Sequence, residues 1–125
     1  MQKVLLIEDD QLISRIYHRI FSLEGYEVAI AEKGEEGLIK AKSLQPSIIL
    51  MDLMMPDMDG ISALKALKAD PTTQKIPVII VSNASNEVLE QALAHGAVKY
   101  IVKSDKDPRE VVEIVKNILV ANPQA

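Results

Sequence analysis

Cysteine is missing from this chain of 125 residues, and aromatic side chains make up only 3% of it. Without cysteine there are no disulfides, no thiolate chemistry and no cysteine-based metal site. With so few aromatics, a core must be assembled from leucine, isoleucine, valine, alanine and methionine. Positive charge is also in deficit. The 14 lysines and arginines face 18 acids, a net charge of −4, whereas a nucleic-acid surface is usually basic. No uncharged apolar run approaches the ~18 residues of a membrane span. The apolar residues Val4 to Ile7 behind Lys3 are too few for the core of a signal peptide. These absences lead to the expectation of a cytoplasmic protein that contacts neither membrane nor nucleic acid directly. The length and a hydrophobic content of 48% suffice for one domain with a sizeable core.

What is present is a series of short apolar runs, each ending abruptly in polar residues. Val4–Ile7, Tyr26–Ile30, Ser47–Met51, Pro77–Val81 and Lys99–Val102 read as strands. Between them the period changes. Leu12, Ile13, Ile16, Tyr17, Ile20 and Phe21 recur at helical spacing, with Asp10 as N-cap and Gly25 as the stop. Further helices start at Gly34, near Gly60 and at Glu87; the last two stop before Asp70-Pro71 and at Gly96. Asp107-Pro108-Arg109-Glu110 opens the last helix, with a capping residue, a proline at the first helical position and an acid able to reach back. Five strands alternating with five helices imply right-handed βαβ units, hence a doubly wound α/β fold with a parallel sheet covered on both faces. One domain fills residues 1–121, and 122–125 reads as a frayed tail.

Parallel strands aim their carboxyl ends at one edge, so the residues following each run share a rim. They are Glu8 and Asp9, then Asp52, then Ser82, then Lys103; the second run contributes nothing. In the strand order 2-1-3-4-5 the first and third strands are neighbours at the topological switch point, and Glu8, Asp9 and Asp52 form one cluster. Three carboxylates in one cleft repel, and a divalent cation relieves them. Oxygen ligands with no histidine or cysteine among them suit Mg²⁺. A metal, a lysine and a hydroxyl together suit phosphoryl oxygens, and one carboxylate is then free to act as nucleophile. Asp52 is expected to be that group, standing alone between the acidic pair and Lys103. A true phosphohydrolase would want a second acid two residues on, where Met54 stands. A flavin carrier would want a phosphate-cradling loop after the first strand, where Glu8-Asp9-Asp10 would repel phosphate.

The ordered set of Glu8-Asp9, Asp52 with Met-Pro-Asp-Met-Asp-Gly, Ser82 after Ile-Ile-Val, and Tyr100-Ile-Val-Lys103 resembles the receiver domains of response regulators in two-component signalling, of the small stand-alone chemotaxis type. The resemblance covers essentially the whole chain and implies a flavodoxin-like sheet. It implies that Asp52 accepts phosphate from a phosphohistidine of a histidine kinase or phosphotransfer protein. Asp9, Asp52 and the Met54 backbone carbonyl would ligate Mg²⁺, with Glu8 acting mostly through water. Ser82 and Lys103 would hold phosphoryl oxygens, and Tyr100 would be the aromatic switch that follows Ser82. The output face, about Glu87 to Leu119, would bind an unknown downstream protein, since no further domain follows. On this reading the chain is a signalling module, an enzyme only toward its own phosphorylation and dephosphorylation. Phosphorylation-dependent dimerisation is left open. Two positions depart from the family pattern. Ser104 follows the lysine where a proline in a cis peptide is common, so either a trans bond with a rearranged loop or a strained cis bond is expected. Asn83 follows Ser82 where a small residue is usual, and can narrow phosphate entry or add a hydrogen bond.

Overall fold

The computed structural model describes residues 2–121; the tail read at 122–125 lies outside the described residues. The elements run β1 (Lys3–Ile7), α1 (Gln11–Leu23), β2 (Glu27–Ala31), α2 (Gly34–Leu44), β3 (Ile48–Met51), α3 (Gly60–Ala69), β4 (Val78–Ser82), α4 (Asn86–Ala94), β5 (Lys99–Val102), a 3₁₀ turn (Lys103–Asp105) and α5 (Pro108–Ala121). All strand pairs are parallel, in the order β2-β1-β3-β4-β5, as expected from the alternation of runs and helices.

Because the sheet is covered on both faces, alternate residues of each central strand enter different cores. Leu5, Ile7, Ile49, Met51, Val78 and Ile80 pack with Ala41, Leu64, Leu67 and Leu89 from α2, α3 and α4. Val4, Leu6, Ile48, Leu50, Ile79 and Val81 pack with Tyr17, Phe21, Val111, Val115 and Leu119 from α1 and α5. That is why β1, β3 and β4 read as continuous apolar runs and not as alternating ones.

Helix α1 departs from its sequence pattern. Its buried residues are Ser14, Tyr17 and Phe21, while Leu12 is 69% exposed and Ile16 is also exposed. The apolar stripe is wider than the face that α5 and the sheet can cover. Asp10 caps the helix through Leu12 and Ile13 N–H groups, and Gly25, at φ 91°, follows its end. The α5 start is a closed capping box: Arg109 N–H donates to the Asp107 carboxylate and Asp107 N–H to Glu110.

Burial pushes the Tyr17 phenol from its ordinary 10.0 up to about 12. A raised folded value means the stability held by the neutral phenol is complete below pH 10.0 and is lost as pH rises through about 12. We expect stability to fall by up to about 1.4 kcal/mol per pH unit within that window, with Tyr17 contributing no phenolate absorbance before the alkaline unfolding transition. Alkaline titration of Tyr17→Phe beside wild type checks this.

Candidate functional site: an acidic cleft at the sheet edge

Register sets the site. Ile7 lies opposite Met51 across β1 and β3, and Ser82 opposite Val102 across β4 and β5. Asp52 N–H still donates to the Ile7 carbonyl at 3.1 Å, and Glu8 N–H to the Ala31 carbonyl at 2.9 Å. The ladder thus carries Glu8 and Asp52 one step past the last apolar pair and delivers both to the same level of the rim.

Both acids are buried, at 3% and 6% exposure, whereas Asp9 is exposed. One carboxylate oxygen from each of Glu8, Asp9 and Asp52 lies within 4.8 Å of the others. Lys103 enters from the end of β5, and its Nζ donates to Glu8 Oε1 at 2.6 Å and to Asp52 Oδ2 at 2.8 Å. The expectation that Asp52 stands between the acidic pair and Lys103 needs correction. The ammonium sits between Glu8 and Asp52 and answers the repulsion that the carboxylates alone would create. The second Asp52 oxygen, Oδ1, accepts the Met54 N–H at 3.0 Å, so the carboxylate is oriented from both ends.

The charges respond to this packing. Burial raises the Glu8 carboxyl above its ordinary range, and the Lys103 and Asp10 hydrogen bonds reverse only part of that. For Lys103 burial works against the ammonium, but Asp52 and Glu8 outweigh it and hold the group above its usual range. Three carboxylates, two buried and one exposed, offering hard oxygen donors beside an ammonium, fit a small divalent cation such as Mg²⁺. The cleft, of about 320 Å³, is also lined by Met54 and Asn83. A larger open groove lined by Pro46, Pro71 and Ile76 lies at the amino ends of β3 and β4 and gathers no comparable set of acids.

Other sequence-selected residues are placed less directly. Ser82 is fully buried, with its Oγ accepting the Ala84 N–H at 3.2 Å. Tyr100 is half-buried, its hydroxyl donating to Glu90 of α4 at 3.3 Å. Neither lines the acidic cleft. His18 and His95 are exposed, as read from the sequence. Lys103-Ser104 is a trans peptide within the 3₁₀ turn, so the strained cis bond, the second of the two expected alternatives, is not formed.

The loop after Asp52 is held by contacts the sequence reading missed. Helix α2 has no side-chain cap of its own. Asp57 supplies one from the loop, accepting the Gly34 and Glu35 N–H groups at 2.8 and 3.1 Å. These bonds hold the Asp57 carboxyl below its usual range. The Asp-Met-Asp spacing was the available signal, because Asp59 caps α3 through Ile61 N–H and leaves Asp57 for another partner. Gly60 closes the same loop, its N–H donating to the Leu53 carbonyl. A Cβ at Gly60 would lie 2.3 Å from Leu53 Cα and 2.7 Å from its carbonyl oxygen. Gly60→Ala must therefore displace the loop. We expect a loss of about 2 kcal/mol in urea denaturation, with weakened Mg²⁺ binding because Leu53 is bonded to Asp52.

Similarity to known proteins agrees with this geometry. Residues 4–116 match the family model described as response regulator receiver domain. The chain is 37% identical over 120 residues to the chemotaxis protein CheY of Treponema pallidum, covering 94% of this chain and 82% of that protein. It is 34% identical over 104 residues to the regulatory protein AtoC of Escherichia coli, covering 82% of this chain but only 22% of that protein. Among solved structures, a CheY-like receiver domain protein from Methanospirillum hungatei superposes with a TM-score of 0.89 at 33% identity, covering 99% of this chain and 98% of that one. A match over nearly the whole length, on a sheet of the same order with the acids and the lysine at its rim, makes this chain a member of the response regulator receiver domain family.

Proposed function

We propose that Asp52 is the phosphoacceptor of this domain and takes its phosphoryl group from the phosphohistidine of a histidine kinase or phosphotransfer protein. An Asp52 carboxylate oxygen attacks phosphorus, the phosphorus–nitrogen bond breaks, and the electron pair leaves with the imidazole, which takes up a proton. The product is an acyl phosphate on Asp52. Asp9, Asp52 and the Met54 backbone carbonyl would hold Mg²⁺, with Glu8 acting through water. Bound there, the ion offsets the repulsion between the carboxylate and the phosphoryl oxygens.

The protein's own groups supply the rest. Lys103 carries three donors, so its ammonium can keep one carboxylate while turning another N–H to a phosphoryl oxygen. Ser82 Oγ uses a lone pair on Ala84 N–H and keeps its own hydrogen to donate. Movement of Ser82 toward the phosphoryl group would free space for Tyr100, whose hydroxyl now donates to Glu90. The face from about Glu87 to Leu119 would then change its fit for a downstream protein. The reading includes a cytoplasmic location.

The observation that carries this proposal is the double pairing of Lys103 with Glu8 and Asp52 beside Asp9. Incubation with acetyl phosphate and Mg²⁺, followed by intact-mass measurement and peptide mapping, tests it. A single phosphoryl group on Asp52, abolished by EDTA, is expected. Label on another residue, or sustained turnover of phosphate esters, would overturn it.

A further inference from the structure

The two positions that depart from the receiver pattern touch each other. Ser104 N–H donates to Asn83 Oδ1 at 2.9 Å, across 21 residues of chain. Each departure supplies one half of the bond. A proline at 104 would have no N–H to give, and a small residue at 83 would have no side-chain acceptor. The amide orientation is settled by chemistry, since only the oxygen can meet a backbone N–H.

The position of the bond is informative. Asn83 follows Ser82 at the end of β4, and Ser104 follows Lys103 at the start of the 3₁₀ turn. The bond therefore ties together the two loops that carry the hydroxyl and the ammonium. Both residues are exposed, so the bond adds little to folding. Its consequence is geometric: it restrains the turn from which Lys103 reaches Glu8 and Asp52, at the mouth of the cleft that Asn83 and Lys103 both line.

We propose that Asn83 is a positioning residue that acts through Lys103: its carboxamide clasps Ser104 and so holds the turn from which Lys103 meets the phosphoryl group. The proposal rests on the phosphoacceptor reading above. Asn83 makes no bond to the carboxylates, so its loss should weaken phosphoryl binding without weakening metal binding, where a loosened Lys103 only competes less with the ion.

Beryllofluoride, a stable phosphoryl mimic, provides the test, titrated at saturating Mg²⁺ alongside a separate Mg²⁺ titration. Asn83→Ala should weaken beryllofluoride binding about fivefold, the worth of roughly one hydrogen bond. Its Mg²⁺ affinity should stay within about twofold of wild type. In a Lys103→Met background the same substitution should cost nothing further, because the residue it acts through is gone. Exchange of the Ser104 amide should quicken in Asn83→Ala and stay protected in Asn83→Asp, which keeps an acceptor. Equal losses for both ligands would mark a general structural defect and overturn the proposal, as would additive losses in the double variant or unchanged beryllofluoride binding. If wild type itself binds no beryllofluoride with Mg²⁺, the phosphoacceptor reading falls first and this proposal with it.

Discussion

Asp52→Asn is expected to slow phosphoryl uptake from acetyl phosphate by roughly a thousandfold or more, while the protein remains folded. The substitution is nearly isosteric. The new side chain still has an oxygen to accept the Met54 N–H now bound by Oδ1, so the loop keeps its anchor. What disappears is the carboxylate oxygen that would become the acyl phosphate. Of the neighbouring acids, Asp9 is exposed at the cleft and is the one assigned to the metal, and the others offer no ready replacement. Asp10 is engaged with Leu12 and Ile13 N–H groups, Asp57 with Gly34 and Glu35, and Asp59 with Ile61. Each is oriented toward a helix start. Glu8 is buried but carries its charge on a longer stem, held by Lys103 and Asp10 N–H. Intact mass against time, with Mg²⁺ and acetyl phosphate, reads the effect directly. Uptake at the wild-type rate in the variant would remove Asp52 from the role assigned to it.

Lys103→Met should have the largest effect on stability, and the effect should depend on metal. The lysine bridges side chains of Glu8 and Asp52 that are 4% and 7% exposed. Removing it leaves two buried carboxylates facing each other without a cation, a defect of about 3 kcal/mol or more. That figure applies in EDTA near neutral pH. The Glu8 carboxyl already titrates above its ordinary 4.5, because of burial. A raised folded value means the stability tied to its protonated form is present below 4.5 and is lost as pH rises through the folded value. Without Lys103 that folded value rises further, so the defect should shrink toward acid pH, where Glu8 is neutral. Mg²⁺ should also reduce it, since a divalent cation replaces the missing charge; a ligand at a hundred times its Kd contributes about 2.7 kcal/mol. The variant should in addition bind Mg²⁺ more tightly than wild type, because the ion no longer displaces an ammonium. Urea denaturation in EDTA and in excess Mg²⁺, at two pH values, gives the comparison. An equal loss in all conditions would mean that Lys103 matters here for packing alone.

The two predictions depend on different kinds of knowledge. Asp52 was legible in the chain because Ile48 to Met51 form a strand buried on both faces, and a charge directly after such a run must lie at its end. Lys103 was legible as a rim residue by the same logic. Its place between Glu8 and Asp52 was not, because Glu8 and Lys103 are 95 residues apart and no local pattern states which side chain reaches which. Helix α1 shows the limit in another form. Six apolar positions recur with helical period, yet Leu12 and Ile16 are exposed while Ser14 is buried. Periodicity reports that a helix has an apolar side, whereas the area its neighbours cover decides how much of that side is used.

Alone, the sequence determined the elements, their alternation and the kinds of group delivered to the rim, since short-range hydrophobic period and capping chemistry are written in neighbouring residues. Only the tertiary structure decided that Lys103 joins two carboxylates, that Asp57 caps a helix other than its own, and that Asn83 meets Ser104. Those pairings follow from strand order and register, which bring distant segments to one level of the sheet and leave no trace in the spacing along the chain.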